Sequence, residues 1–175
     1  ARNKSDLILF STACVAYKIK VHEINDCKAS TLGEYLGNIL DMGSDEKIIY
    51  MVATEDYSGH MLFSFKNGKA AKIPLKSYAT KSNRRKLINA YSDLSPVCDI
   101  RHLQQDRDLV AFSDIGKVLV FNTSAINEKA TRNSAGVQVL KQKKGSSMVR
   151  IKDISEVSFE DVDYYRTKNI PAIGF

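Results

Sequence analysis

The sequence predicts an all-β, propeller-like domain, and three observations lead to this prediction. No segment sustains the hydrophobic period of about 3.6 residues that marks an amphipathic helix. Apolar or alternating runs of about five residues recur, with turn residues roughly every ten positions. A hairpin followed by a basic loop also recurs at a spacing near 50 residues, which is typical of propeller blades.

The first unit is predicted near residues 6–58. Residues 6–10 (DLILF) form a continuous apolar run, which favours a buried strand. Residues 15–24 alternate apolar side chains with lysine and histidine, so we expect a strand with one buried and one solvated face. A loop and an acidic turn follow, and residues 47–54 (KIIYMVAT) predict the third strand.

The second unit, near residues 59–107, contains the clearest hairpin. Its strands are predicted at residues 61–65 and 69–78, joined at Asn67-Gly68, which suits a two-residue type I′ turn. A basic loop follows, and residues 66–86 carry eight basic side chains and no acidic one. Residues 87–93 are expected to be a loop or one helical turn, and residues 97–103 a weaker strand.

The third unit, near residues 108–152, has predicted strands at 108–113 and 118–121 around a turn at Gly116. A loop spans 122–136, and residues 137–140 and 148–151 form the last pair. Residues 129–152 carry seven basic side chains and no acidic one. We expect blades over 1–154, followed by an acidic stretch and an extended tail over 155–175.

The repeat predicts equivalent positions in the three units. Aligning Phe10-Ser11, Phe63-Ser64 and Phe112-Ser113 places these phenylalanines at equivalent buried sites in an exclusively antiparallel architecture. The return strands then end on Ile24, Tyr78 and Ile126, and basic residues follow each one. Three such units are few for a closed propeller, so we expect an open arc or a ring that lacks amino-terminal blades.

Composition limits the classes of function. The net charge of +6 and the pI of about 9.2 favour an anionic partner. Cys14, Cys27 and Cys98 have no metal-binding spacing and are expected to be free thiols in a reducing compartment. No apolar run is long enough for a membrane span and no signal peptide is evident. The first residue is not methionine, which suggests a piece of a longer protein.

Three stretches together resemble a known family. They are 17–24 with 37–48 (GNILDMGSDEKI), 77–93 (SYATKSNRRKLINAYSD) and 114–140, where Gly116, Lys117, Arg132, Gly136 and Val137 carry the blade pattern. The chain resembles the C-terminal DNA-wrapping domain of bacterial type IIA topoisomerase A subunits, gyrase A and topoisomerase IV A, over about residues 6–152.

The resemblance implies a β-pinwheel, a propeller-like disc of about three to four four-stranded antiparallel blades, possibly an incomplete ring, with duplex DNA bent around a basic rim. It implies a bacterial, cytoplasmic, nucleoid-associated protein with no membrane partner. Its partners would be duplex DNA, the ATPase B subunit of an A2B2 enzyme, and the rest of the A subunit. The cleavage tyrosine, ATP and magnesium would belong to other parts of that enzyme, so no cofactor is expected here.

One departure from the family bears on the type of subunit. The gyrase box Gln-Arg-Arg-Gly-Gly-Lys-Gly is absent, and the nearest text, residues 82–86 (SNRRK), lacks its glycines. This departure favours a topoisomerase IV-like or divergent subunit, unless the box lies in an amino-terminal blade outside this sequence.

Cations that follow the predicted strands are the candidate DNA contacts, because a protein that bends duplex DNA needs Lys and Arg along a curved face. The candidates are Lys28, Lys81, Arg84, Arg85, Lys86, Lys129, Arg132, Lys141, Lys143 and Lys144. By contrast, Lys18, Lys20, Lys69 and Lys72 alternate with apolar residues and are expected on solvated strand faces.

Other functions remain open at this stage. The basic loops could bind an acidic protein, in which case the chain is a propeller-type interaction module. An enzyme on a propeller is disfavoured, because His22, His60 and His102 share no metal-ligand spacing with the cysteines and no catalytic motif is present. The acidic residues 153–163 are either a solvated segment or a flap over a basic face that tunes DNA affinity.

Overall fold

A computed structural model of the 175-residue chain describes residues 2, 4–26, 28–33, 35–82 and 84–175. Within these residues strands predominate among the regular elements. The helical elements are five short 3-10 turns and one α-helix, α1 (Leu36–Leu40), which has five residues. The strands are β1 (Asp6–Ser11), β2 (Ala16–Lys20), β3 (Ile48–Thr54), β4 (His60–Phe65), β5 (Lys69–Pro74), β6 (Lys86–Leu87), β7 (Val97–Leu103), β8 (Asp108–Ser113), β9 (Val118–Asn122), β10 (Val137–Gln138) and β11 (Met148–Asp153).

The strands form three sheets. Sheet A has the order β3-β1-β2-β6, sheet B the order β10-β5-β4-β7 and sheet C the order β11-β8-β9. All pairs between these strands are antiparallel. The all-β prediction and the expectation of antiparallel sheets are confirmed. The described residues also contain isolated parallel bridges outside the named strands, such as Lys72 with Glu128.

Each sheet contains one hairpin, which is central in sheets A and B and includes the edge strand β9 in sheet C, and the hairpin turns share one geometry. Cys14, Gly68 and Gly116 have φ values of 57°, 81° and 79°. In the middle hairpin, Gly68 N donates to Phe65 O at 3.0 Å, and three residues separate β4 from β5. This is a type I turn followed by a residue in the left-handed region. The prediction of a two-residue type I′ turn was therefore wrong, because Gly68 has positive φ and Asn67 does not.

Fourth strands are exchanged between units. The segment that follows the hairpin of sheet B supplies β6 to sheet A, where Leu87 pairs with Ala16. The segment that follows the hairpin of sheet C supplies β10 to sheet B, where Val137 pairs with Ala70. Each exchange satisfies backbone groups along an edge that would otherwise be open to pairing with another chain.

The core lies between the sheets, so both faces of the central strands are buried. Phe10, Phe63 and Tyr78 pack between sheets A and B. Leu62 and Leu109 belong to a second cluster, between sheets B and C. A third cluster lies on the other face of sheet A, where Leu40 of α1 packs with Leu9, Tyr17 and Ile19. Burial on two faces explains why runs such as LILF are continuously apolar.

The predicted equivalence of the three phenylalanines is wrong by one residue in sheet B. The register shifts fall between Phe10 and Ser11 in β1 and between Ser64 and Phe65 in β4, so Ser64 corresponds to Phe10. Phe63 therefore points to the opposite face, and its ring meets that of Phe10 with centroids 5.5 Å apart. Phe112 does correspond to Phe10, but it is only half-buried, under the Arg150 guanidinium.

Strand ends also differ from the prediction in two places. The regions after β2 and β5 are 3-10 turns, Val21–Glu23 and Leu75–Tyr78, rather than continuations of the strands. Residues 97–103, expected to be a weak strand, form the seven-residue β7. In the described part of the chain no helix has the length and apolarity needed to cross a bilayer.

The tail is folded against sheet C rather than extended into solvent. Arg166 Nη1 lies 2.7 Å from Asp108 Oδ2, and Thr167 N donates to Val120 O at 2.9 Å. Most acidic side chains of residues 153–163 are exposed. Asp153 forms an ion pair with Arg107 and Asp163 with Arg166. The acidic stretch therefore stays mostly solvated, whereas the residues that follow it belong to the folded domain.

Candidate nucleic-acid interface

The basic loop of the second unit lies on sheet A, because strand exchange carries it there. Lys18 N donates to Arg85 O at 2.7 Å, which continues the pairing of β6 along β2. Lys86 lies over the Tyr17 ring, with Nζ 5.7 Å from the centroid. Cations that belong to one hairpin in sequence thus flank the neighbouring sheet.

The four predicted cations of this loop differ in how available they are. All of them are exposed. Arg85 pairs with Glu23 at 3.1 Å, whereas Lys81 and Arg84 form no ion pair with any described residue. Lys86 also forms no ion pair with a described residue, but its ammonium lies over the Tyr17 ring and interacts with the Glu46 carboxylate. Lys81 and Arg84 are therefore the loop cations whose charge is most available to an anionic ligand.

The corresponding loop of the third unit is held against sheet B. Lys129 N donates to Lys72 O at 2.9 Å, and the exposed Lys129 side chain points away from the core. Arg132 is half-buried, and its Nη1 donates to Ser77 O at 3.2 Å. Arg132 therefore fastens this loop to the 3-10 turn after β5, in addition to any contact it makes with a ligand.

The two exchanged loops meet at the surface. Ile88 and Asn89, just after β6, line one shallow groove with Thr131 and Arg132. The loops of successive units thus meet at the residues just after β6, and Arg132 is the predicted cation that lines the groove between them. We call the edge that carries the fourth strands, comprising residues 79–82, 84–89 and 127–136, the exchange edge.

The remaining predicted cations lie elsewhere. Lys141, Lys143 and Lys144 follow β10 and are exposed beside the hairpin turns, where Met148 N donates to Lys66 O. Lys28 is exposed in the segment between β2 and α1. The structure therefore brings Lys81, Arg84, Arg85, Lys86, Lys129 and Arg132 to the exchange edge and places Lys28, Lys141, Lys143 and Lys144 away from it.

Two lysines expected on solvated strand faces are not solvated. Lys72 is buried, with Nζ 2.6 Å from Asp106 Oδ1 and 3.4 Å from Thr123 O. Lys18 is half-buried, and its Nζ donates to Thr80 Oγ1 at 3.0 Å. Burial of both strand faces turns these side chains toward the next sheet. The continuous apolar runs in the neighbouring strands were the signal that could have revealed this in the sequence.

The described residues contain no group of three or more His, Cys, Asp or Glu side chains placed to hold a metal ion. Cys14 and Cys98 are free thiols, and burial raises the pKa of Cys98 to about 12. Cys27 lies outside the described residues. His60 is bound to Glu128, with Nε2 2.5 Å from Oε2, and His102 Nε2 lies 3.1 Å from Ser58 O.

Comparison with known sequences identifies the relatives of this chain as topoisomerase A subunits. It is 21% identical over 152 residues to the A subunit of DNA gyrase from Borreliella burgdorferi, covering 86% of this chain and 19% of that protein. It is 23% identical over 158 residues to the A subunit of DNA topoisomerase 4 from Staphylococcus epidermidis, covering 88% and 20%. The chain thus spans about a fifth of the length of these relatives. No family model matches it.

Solved structures with the same fold are C-terminal domains of such subunits. The C-terminal domain of DNA topoisomerase IV superposes with a TM-score of 0.76 at 27% identity, over 87% of this chain and 48% of that one. The E. coli ParC C-terminal domain gives a TM-score of 0.68 at 14% identity, over 86% and 62%. The predicted resemblance and the β-pinwheel fold class are confirmed.

Proposed function

We propose that this chain is a DNA-binding accessory domain of a type IIA topoisomerase A subunit, which binds duplex DNA without sequence specificity and bends it along the exchange edge. The similarity to C-terminal domains of gyrase A and topoisomerase IV A supports the accessory role. The observation that carries the DNA-binding role is the meeting of two basic loops from successive units at one edge.

The chemistry of the exchange edge suits phosphate contacts. Lys81, Arg84 and Lys129 are exposed, and no described carboxylate neutralises them. When cations of the exchange edge neutralise phosphates of the duplex, counterions condensed on the DNA are released, and this release supplies affinity independent of base sequence. The one α-helix of the described residues has five residues, so major-groove reading by a helix is not part of this proposal.

The wider assignment follows from the same similarity. The domain would work with the rest of an A subunit, and with an ATPase B subunit, in an A2B2 enzyme in the cytoplasm of a bacterium at the nucleoid. DNA cleavage, ATP and magnesium would belong to other parts of that enzyme, and this chain would act without a cofactor. The glycine-rich box is absent from this sequence, which favours a topoisomerase IV-like or divergent subunit unless the box lies in an amino-terminal blade outside the sequence.

Duplex length tests the proposed function. Affinity is measured by fluorescence anisotropy for duplexes of increasing length at two salt concentrations. A bending domain is expected to bind longer duplexes more tightly, because more phosphates reach the edge, and to lose affinity steeply with salt. Affinity that is independent of duplex length, or the absence of binding at low salt, would refute the proposal and favour an interaction module for an acidic protein.

A further inference from the structure

A polar cleft opens beside β1 and β2 of sheet A, where the basic loop residues 79–82 and 84–86 cover β2. Its volume is about 120 Å³, and its wall includes Lys18, Tyr57, Thr80, Ser82 and Arg84. Four basic side chains line it, since Lys20 and Arg85 join Lys18 and Arg84, against two carboxylates, those of Asp6 and Glu23.

Both carboxylates are already paired. Asp6 is bound by Lys20 and accepts a hydrogen bond from the Tyr57 hydroxyl at 2.6 Å. Glu23 is paired with Arg85 at 3.1 Å. Lys18 and Arg84 therefore carry the uncompensated positive charge of the cleft among its described residues.

An internal comparison shows that Lys18 is unusual. Lys18 pairs with Ile8 across the hairpin of sheet A, and Lys72 pairs with Leu62 at the same position of sheet B. Lys72 is neutralised by Asp106, which lies two residues before β8. The residue two positions before β4 is Ser58, so the corresponding carboxylate is missing beside Lys18.

The ammonium group of Lys18 is nevertheless held in one place. Its Nζ donates to Thr80 Oγ1 at 3.0 Å, and the Thr80 hydroxyl donates in turn to Ser82 O at 2.8 Å. The Tyr57 ring lies beneath it, with the centroid 5.4 Å from Nζ. Burial lowers the pKa of Lys18, an effect that nearby Asp6 opposes. The ammonium group has N–H donors that Thr80 does not use, and an anion that accepts hydrogen bonds from them would bind strongly, because the cation is already oriented and partly desolvated.

We propose that this cleft binds one phosphate group, with Lys18 and Arg84 as the charged contacts and the Ser82 hydroxyl as a further donor. This inference rests on the proposed function, because the expected source of the phosphate group is a phosphodiester of duplex DNA bound at the exchange edge. Free inorganic phosphate offers the same chemistry, so the test has separate arms for the two sources.

The first arm titrates inorganic phosphate into the ¹⁵N-labelled chain. The amide resonances of Lys18, Thr80 and Arg84 are expected to shift together along one saturable curve. Lys18→Met keeps the aliphatic stem over Tyr57 but removes the charge, and it should weaken binding by about tenfold or more. Lys18→Arg should restore most of it, and Lys47→Met, an equal charge change at an exposed residue outside the cleft wall, should change nothing.

Arg84→Gln is a second test variant, needed in case Lys18→Met does not fold. Arg84 is exposed, so its replacement leaves the packing of the core intact. This variant should also weaken phosphate binding. The inference is overturned if phosphate shifts resonances elsewhere, or if Arg84→Gln together with a folded Lys18→Met binds phosphate like the parent chain.

The second arm uses a long duplex over a range of salt. Lys18→Met removes one phosphate contact, so the slope of log affinity against log salt should become shallower by about 0.9. The control Lys47→Met should leave this slope unchanged. Duplex binding with an unchanged slope and no shift at Lys18 would defeat the cleft inference but leave the proposed function standing. Inorganic phosphate binding in the cleft without any duplex binding would defeat the proposed function and leave the cleft as a site for free phosphate.

Discussion

The backbone of Phe175, the last residue of the sequence, exchanges two hydrogen bonds with Val118 of β9. Phe175 N donates to Val118 O at 2.9 Å, and Val118 N donates to Phe175 O at 3.0 Å. Val118 pairs with Phe112 as Ala16 pairs with Phe10, and Ala16 is the residue that receives Leu87 of the exchanged β6. The end of the tail therefore occupies, on sheet C, the place that exchanged strands occupy on sheets A and B.

Removing residues 164–175 is therefore expected to destabilise sheet C and promote self-association. The deletion uncovers the β9 edge and strips Ile170 and Ala172 from the core between sheets B and C. We expect a loss of several kcal/mol in the free energy of unfolding by urea, since a few core-packed side chains are removed at once. Light scattering should show oligomers.

The control for the tail is Lys168→Ala, an exposed change in the same segment, which should leave both measurements unaltered. A truncated chain that stays monomeric with unchanged stability would contradict the strand-like role of the tail.

The double variant Arg84→Ala with Arg85→Ala is expected to weaken binding to all duplex sequences alike. Loss of the two cations should also make the salt slope shallower by roughly one to two units. Arg84 should account for most of the change, because Arg85 is paired with Glu23. Anisotropy titrations over a salt series measure both quantities.

Arg132→Ala should weaken duplex binding less, since its guanidinium is partly engaged by Ser77 O. Lys47→Ala is the matched control, because Lys47 is exposed and away from the exchange edge. Lys18 is unsuitable as a control because it lies in the cleft. Unchanged affinity and slope in the Arg84/Arg85 double variant would show that the exchange edge does not contact DNA.

Asp106→Asn should destabilise the chain at neutral pH by about 1–3 kcal/mol, because it leaves the buried Lys72 ammonium without its carboxylate. This loss is smaller than the roughly 3–5 kcal/mol typical of breaking a fully buried pair, because the Asp106 side chain is 41% exposed. Urea unfolding at pH 7 compares the variant with the parent, and Asp93→Asn, at an exposed acid, is the control.

The same pair predicts a pH dependence. Hydrogen bonding from Lys72 lowers the pKa of Asp106 in the folded state. The stabilisation of the folded state by the Asp106 carboxylate is therefore fully present above its unfolded pKa of about 3.9. It is lost as the pH falls through the pKa of Asp106 in the folded state. The stability difference between parent and Asp106→Asn should disappear in acid, and a difference that persists undiminished there would assign it to another cause.

Gly68→Ala should cost clearly more stability than Gly116→Ala, although both glycines have φ near 80°. A Cβ at Gly68 would lie 2.2 Å from Leu140 O, whereas a Cβ at Gly116 meets nothing within 4 Å. Both variants carry the backbone cost of positive φ, about 1–2 kcal/mol. Urea unfolding measures the additional loss of unfolding free energy for Gly68→Ala, which we attribute to the close approach of the segment after β10 to the hairpin. Equal losses for the two variants would refute this interpretation.

The local features of this protein were determined by sequence. Strand positions follow from short apolar and alternating runs, and turns follow from residues such as Gly68 and Gly116, because both depend on neighbouring residues alone. The family resemblance and the positions of the basic loops could be predicted from the sequence because they too depend on contiguous stretches of residues. Even the sheet B register had a local signal: Gly68 is five residues from Phe63, whereas Cys14 and Gly116 are four from Phe10 and Phe112.

Only the tertiary structure decided which edges the short segments complete and which lysines are buried. A two-residue strand such as β6 has no pattern of its own; it forms because the open edge of β2 lacks backbone partners. Lys72 reads as a solvated residue until sheet C covers it and Asp106 offsets its desolvation. Lys18 has the same sequence pattern but no such carboxylate, and that difference appears only when the sheets are stacked, because burial and ion pairing depend on residues distant in the chain.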